Sequence, residues 1–203
     1  MPSATIPAVR KAIGEFDKDL KHTFEHVEDI VDKLGTVPEI ALAYCFSKIE
    51  NGHRRLLYAG ILRKYRLDPI LTWKFVLDHD LSRKGFLQIY SAVFGHELPK
   101  KILERLAPAE GVRDRMIHGK RPEIKEIWGA TLCCFDYCRA LNSHLREKEQ
   151  FAGFGRMQGI TSRKGSPTLG KPVSHLALIG LGLSPKPQVV SPQVLPEAAA
   201  PPA

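Results

Sequence analysis

The chain has 203 residues, 43% of them hydrophobic, and a formal net charge of +8. That is enough apolar mass for one domain of ordinary size with a tail. No stretch approaches the roughly 20 apolar residues of a membrane-spanning helix, and the first 13 residues hold no apolar run after their basic residues. Both point to a cytoplasmic, non-membrane protein.

The positive charge is uneven. Residues 51–121 carry 15 basic and seven acidic side chains, a net +8, whereas residues 1–50 carry six and nine. A basic middle segment concentrates polyanions such as nucleic acid; the alternative is a solvated, solubilising face.

A helical period opens the chain. Ile13, Phe16, Leu20, Phe24, Val27, Val31 and Leu34 recur at three- and four-residue steps, with charged residues between them. This predicts one amphipathic helix ending at Gly35. Pro38 opens the next, which carries Leu42, Phe46, Ile49 and Leu56 and runs to about Arg66, weakened but not ended by Gly52. Asp68-Pro69 marks a boundary. Trp73, Val76 and Leu77 form one apolar cluster and Phe86, Tyr90, Val93 and Phe94 another, with Asp80 or Ser82 as cap. Trp73, Trp128, Tyr90 and Phe135 read as core residues. After Pro99 a short helix stops near Pro108. Pro122 opens a last long helix with Glu123 and Glu126 at its positive end.

The fold class is therefore all-α, as residues 1–150, followed by a C-terminal extension, 151–183, and a Pro/Ala-rich tail, 184–203. Val173 to Leu183 reads as either a docked helix or a strand. The tail has six prolines and almost no charge, which predicts disorder. Cys133, Cys134 and Cys138 in the last helix read as small buried residues, because no metal-ligand spacing accompanies them.

The chain has no phosphate-binding glycine loop, no GxGxxG after a strand, no GxSxG elbow and no HExxH. Its carboxylates are dispersed. Chemistry without a metal or cofactor is what remains, and Arg113-x4-His118 is the one pointed feature. Arginine offers a permanent cationic fork suited to phosphate. Histidine moves protons near neutral pH. Cleavage of RNA through its own 2′-hydroxyl needs a base and a cation, and no metal.

The string Val112-Arg113-Asp114-Arg115-Met116-Ile117-His118-Gly119, placed before the last long helix, closely resembles the signature of the HEPN superfamily. The resemblance covers about residues 12–150 in helix order and is specific in this one motif. It implies a four- or five-helix bundle, a homodimer with two motifs facing each other, and metal-independent ribonuclease activity in a toxin or phage-defence setting. It implies that Arg113 and His118 are catalytic and that Asp114, where the family most often has Asn, orients or tunes them. It also implies a possible nucleotidyltransferase or antitoxin partner. Arg115, Lys120 and Arg121 are the nearest phosphate contacts.

Two rival readings stand beside this one. The chain can be a non-catalytic dimerisation or nucleotide-binding module, or a helical protein in which Arg113 and His118 pair structurally with Asp114 and Glu110. His53 lies in step with Ile49 and Leu56, and reads either as a hydrogen-bonded core residue or as a lining of the same cleft. Arg54, Arg55, Arg63, Lys64 and Arg66 read as an RNA-backbone track or a solvated face.

Overall fold

The computed structural model describes residues 4–156 and 168–184, and these residues are all-α, with no strand among them. In chain order the helices are α1 (Ile6–Gly14), α2 (Lys18–Thr23), α3 (Val27–Lys33), α4 (Pro38–Tyr65), α5 (Pro69–Asp78), α6 (Arg83–Phe94), α7 (Lys100–Ile117), α8 (Ile124–Glu149) and α9 (Lys171–Gly180). The expected Pro/Ala tail lies outside the described residues, apart from Ser184.

The long helices α4, α7 and α8 carry the fold. Both α4 and α7 pack against α8, which buries Trp128, Cys134, Phe135, Tyr137, Cys138 and Leu141. Gly52 lies on the buried side of α4, where a Cβ would collide with the Phe154 ring. The residue that costs α4 helix propensity therefore lets an aromatic ring approach the backbone.

The single N-terminal helix expected from periodicity is instead three short ones. Asp17 caps α2 by accepting the Leu20 N–H at 2.8 Å, a local bond that competes with helix continuation. Packing explains the break. Eight residues of straight helix span about 12 Å, yet the Phe16 and Phe24 rings lie 5.7 Å apart. Both also contact Phe135 of α8, at 4.9 and 5.2 Å. Bending the chain brings both rings onto one partner.

The helix expected to stop near Pro108 continues to Ile117. Proline removes one helical hydrogen bond and costs about 3 kcal/mol in a helix interior. Burial of Ile102, Leu106, Ala109 and Val112 along the same helix outweighs that cost, at about 1.5–3 kcal/mol for each large side chain. Elsewhere the signals match: Asp68 caps α5 at Pro69, and Ser82 caps α6. Glu123 and Glu126 form a reciprocal capping box at the start of α8.

Trp128, Tyr90 and Phe135 are buried, but Trp73 is 37% exposed and rests edge-on against Tyr58. Cys45, Cys134 and Cys138 are buried free thiols whose titration desolvation pushes up, and Cys133 is half-buried.

The described part of the C-terminal extension packs on the helical core. The Asn142 side chain brackets Phe154, donating to its carbonyl at 3.0 Å and accepting its N–H at 2.8 Å. Arg55 donates to the Gly155 carbonyl at 2.8 Å. Residues 173–180 take the helical alternative, and α9 packs on α5 with Leu178 buried. The Asp68 N–H donates to Ser174 Oγ, which in turn donates to the Leu169 carbonyl.

Candidate functional site

The motif occupies the last turn and a half of α7. His118 is the C-cap residue, and Gly119 follows with φ +74°. The Lys120 N–H donates to the Arg115 carbonyl at 2.9 Å and the Gly119 N–H to the Met116 carbonyl at 3.1 Å. This pair of bonds is a Schellman motif, which needs a left-handed residue after the cap. Histidine followed by glycine is thus also a helix-stop signal, independent of chemistry.

Five helical residues separate side-chain directions by about 140°, and the two motif residues diverge accordingly. Arg113 turns inward, with its guanidinium carbon 4.8 Å above the centre of the Phe46 ring and Nη2 donating to Glu50 Oε1 at 3.2 Å. His118 is exposed, and its ring has no hydrogen-bond partner among the described residues. Asp114 is exposed on the same helix, with no ion pair among the described residues. Arg113 pairs with Glu50 rather than with Asp114 or Glu110, and Glu110 pairs with Arg83.

The three expected phosphate contacts divide. Arg115 donates to Glu126 Oε1 at 2.9 Å, while the other oxygen of that carboxylate accepts the Glu123 N–H. Arg115, followed by the Glu123 N–H, holds the Glu126 carboxyl below the usual range. Lys120 and Arg121 are exposed, and neither has an ion-pair partner among the described residues. In α4, Lys64 is engaged with Glu149 at 3.0 Å and Arg55 with Gly155, so two of the five cations of that expected track serve tertiary structure.

Arg113 also stands at the wall between two concave regions. On one side is a groove lined by Leu42, Phe46, Met116 and Ile117. On the other is a cavity of about 270 Å³ bounded by α4, α6, α7 and α8. His53 and Tyr137 line that cavity, their Nε2 and hydroxyl oxygen 2.7 Å apart. The His53 ring stacks on Phe86 with centroids 3.9 Å apart. Desolvation, then the charges of Arg54 and Arg83, lower its pKa to about 3. His53 is therefore neutral at physiological pH, hydrogen-bonded as one reading expected and lining the Arg113 cleft as the other did. Tyr137 was not singled out by sequence. Its place in step with Cys134 and Leu141 marks the buried face of α8, but nothing local pairs it with a histidine 84 positions away.

Among the described residues no helix is long and apolar enough to cross a membrane. No family model, curated protein or solved structure matches the chain.

Proposed function

We propose that this chain is a metal-independent endoribonuclease of the HEPN type that acts on RNA as a homodimer, in a toxin or phage-defence role. The observation that carries the reading is the solvent-exposed His118 at the end of α7, followed after Gly119 by exposed Lys120 and Arg121, which have no ion-pair partner among the described residues. His118 takes the 2′-hydroxyl proton, and the 2′-oxygen attacks the adjacent phosphorus. The 5′-oxygen leaves with a proton from the second copy's histidine. Arg113 stabilises the charge on the phosphoryl oxygens. The products are a 2′,3′-cyclic phosphate end and a 5′-hydroxyl end.

The divergence of Arg113 and His118 around α7 supports a site shared between two copies, in which each supplies part of the set. Exposed Ile117 and Ile124, 65% and 59% accessible, supply apolar surface beside the motif for that contact. Asp114 adds a negative charge at the site edge, where it tunes Arg113 and His118.

The test is cleavage of a single-stranded RNA in the presence of EDTA. His118→Ala lowers the rate by about 10²–10⁴-fold, the usual contribution of a general acid or base. No cleavage by the wild type, together with unchanged growth on induction, removes the enzymatic reading.

The engagement of Arg113 by Glu50 and Phe46 favours a second reading. In it, the chain is a non-catalytic dimerisation or nucleotide-binding module for a nucleotidyltransferase or antitoxin partner. Induction then leaves growth unchanged for both the wild type and Arg113→Ala, whereas a toxin arrests growth and the substitution relieves the arrest.

A further inference from the structure

The cavity between α4, α6, α7 and α8 has three chemically distinct zones. Phe46, Ile49, Phe86, Leu87, Leu103 and Leu106 make apolar walls. Tyr137 and His53 place a neutral hydrogen-bonding pair among them. Arg83, paired with Glu110, and Arg113, paired with Glu50, add two cation–carboxylate pairs to the lining.

Each zone constrains the occupant. In either tautomer of neutral His53, the His53–Tyr137 pair uses one donor and one acceptor on itself and keeps one of each. That suits one hydroxyl or ring N–H on a ligand. The volume of about 270 Å³ lies below the roughly 300–1,000 Å³ of sites that enclose drug-sized molecules, so the ligand is small. The four rim charges sum to zero. A monocarboxylate replaces Glu110 on Arg83 one for one in charge, and its two oxygens suit the guanidinium fork. A phosphate dianion brings a second negative charge next to Glu50 and Glu110. The apolar part of the lining favours a flat ring in contact with Phe86 and Phe46.

The geometry points to a binding site for a small aromatic monocarboxylate bearing one hydroxyl or N–H substituent. The ring lies between the apolar walls, the substituent meets Tyr137 and His53, and the carboxylate takes the Arg83 guanidinium in exchange for Glu110. The site is separate from the proposed ribonuclease chemistry except at Arg113, which borders both.

The experiment is isothermal titration of the 203-residue chain with 4-hydroxybenzoate, with 4-hydroxybenzyl alcohol, acetate and 5′-AMP as comparison probes. The expected result is one site per chain with a Kd of about 0.1–1 mM, ordinary for a ligand of roughly ten non-hydrogen atoms. The alcohol binds about tenfold more weakly or less, and acetate does not bind. Leu103→Trp fills the cavity and abolishes binding. The two members of the rim pair act with opposite signs: Arg83→Gln weakens binding about tenfold, and Glu110→Gln strengthens it severalfold by freeing the guanidinium.

A wild type that shows no saturable binding of 4-hydroxybenzoate up to about 10 mM overturns the proposal. So does binding unaffected by Leu103→Trp, or tighter binding of 5′-AMP than of the carboxylate. Should Leu103→Trp lose its helical circular dichroism, the opposed signs of Arg83→Gln and Glu110→Gln decide: equal effects overturn the site. RNA cleavage by a chain that binds no aromatic carboxylate leaves the ribonuclease reading standing and sinks this one. Binding without cleavage does the reverse.

Discussion

The molecule carries two histidines beside Arg113 that differ in almost every physical respect. His53 is stacked on Phe86, bonded to Tyr137 and kept neutral by its surroundings. His118 stands in solvent at a helix end, with no ring partner among the described residues. A partly buried histidine with a satisfied ring nitrogen is committed to structure or to holding a ligand. An exposed one at the edge of a cationic segment is open to a ligand from solvent, which is what the proposed ribonuclease role requires of His118.

That division sets the largest expected effects. On the proposed ribonuclease reading, His118→Ala lowers RNA cleavage by about 10²–10⁴-fold and leaves the urea midpoint unchanged, because none of the described residues bonds to the ring. His53→Ala acts on stability instead. It loses the Phe86 stack and leaves the Tyr137 hydroxyl buried without its partner, and destabilises the chain by about 2–4 kcal/mol in urea unfolding. If His118→Ala unfolds the protein and His53→Ala does not, the assignment of roles is inverted.

Acid sharpens the contrast. The folded-state pKa of His53 is about 3 against an ordinary 6.5, so between those values the unfolded chain takes a proton that the folded one refuses. Stability contributed by neutral His53 is full above pH 6.5 and is lost as pH falls towards 3. Over the range down to pH 4 this amounts to at most about 3 kcal/mol. His144, lowered by desolvation and by His96, adds a loss of the same sign. Urea midpoints measured from pH 7 to pH 4 fall for the wild type and fall less for His53→Gln. Equal slopes would falsify the burial of a neutral imidazole at this place.

The smallest effects separate the basic residues around the motif. Lys120→Gln and Arg121→Gln change stability by less than about 0.5 kcal/mol. Each nonetheless reduces the salt dependence of single-stranded RNA binding by about 0.7 in log–log slope. Arg115→Gln breaks a surface ion pair, with little effect on stability, and leaves the salt slope nearly unchanged, since Glu126 already holds that guanidinium. Equal slopes for all three variants would show that the Glu126 pair opens to RNA.

Residues that act through neighbours three or four positions away were legible in the chain. Pro38, Asp68-Pro69 and Ser82 mark helix starts, because a cap or a fixed φ works over one turn; α8 starts two residues after Pro122, at Ile124, where the Glu123–Glu126 capping box sets the boundary. Gly119 marks the end of α7 for the same reason. The apolar faces of α4 and α8 follow from their period. By contrast, the single period through residues 13–34 hid two breaks, and Pro108 suggested an end that burial overrides. Both outcomes depend on packing against α8, which a local period does not show.

The sequence by itself determined the all-α class, most helix boundaries and the cation–histidine spacing at the end of α7, all of which rest on local hydrogen bonding and periodicity. Only the tertiary structure decided that Arg113 turns inward to Glu50 and Phe46 while His118 turns out. The same holds for His53 meeting Tyr137 across 84 residues, and for the cavity opening between α4 and α7. Those facts depend on how three long helices stack, and the free energy of that stacking comes from side chains far apart in the chain.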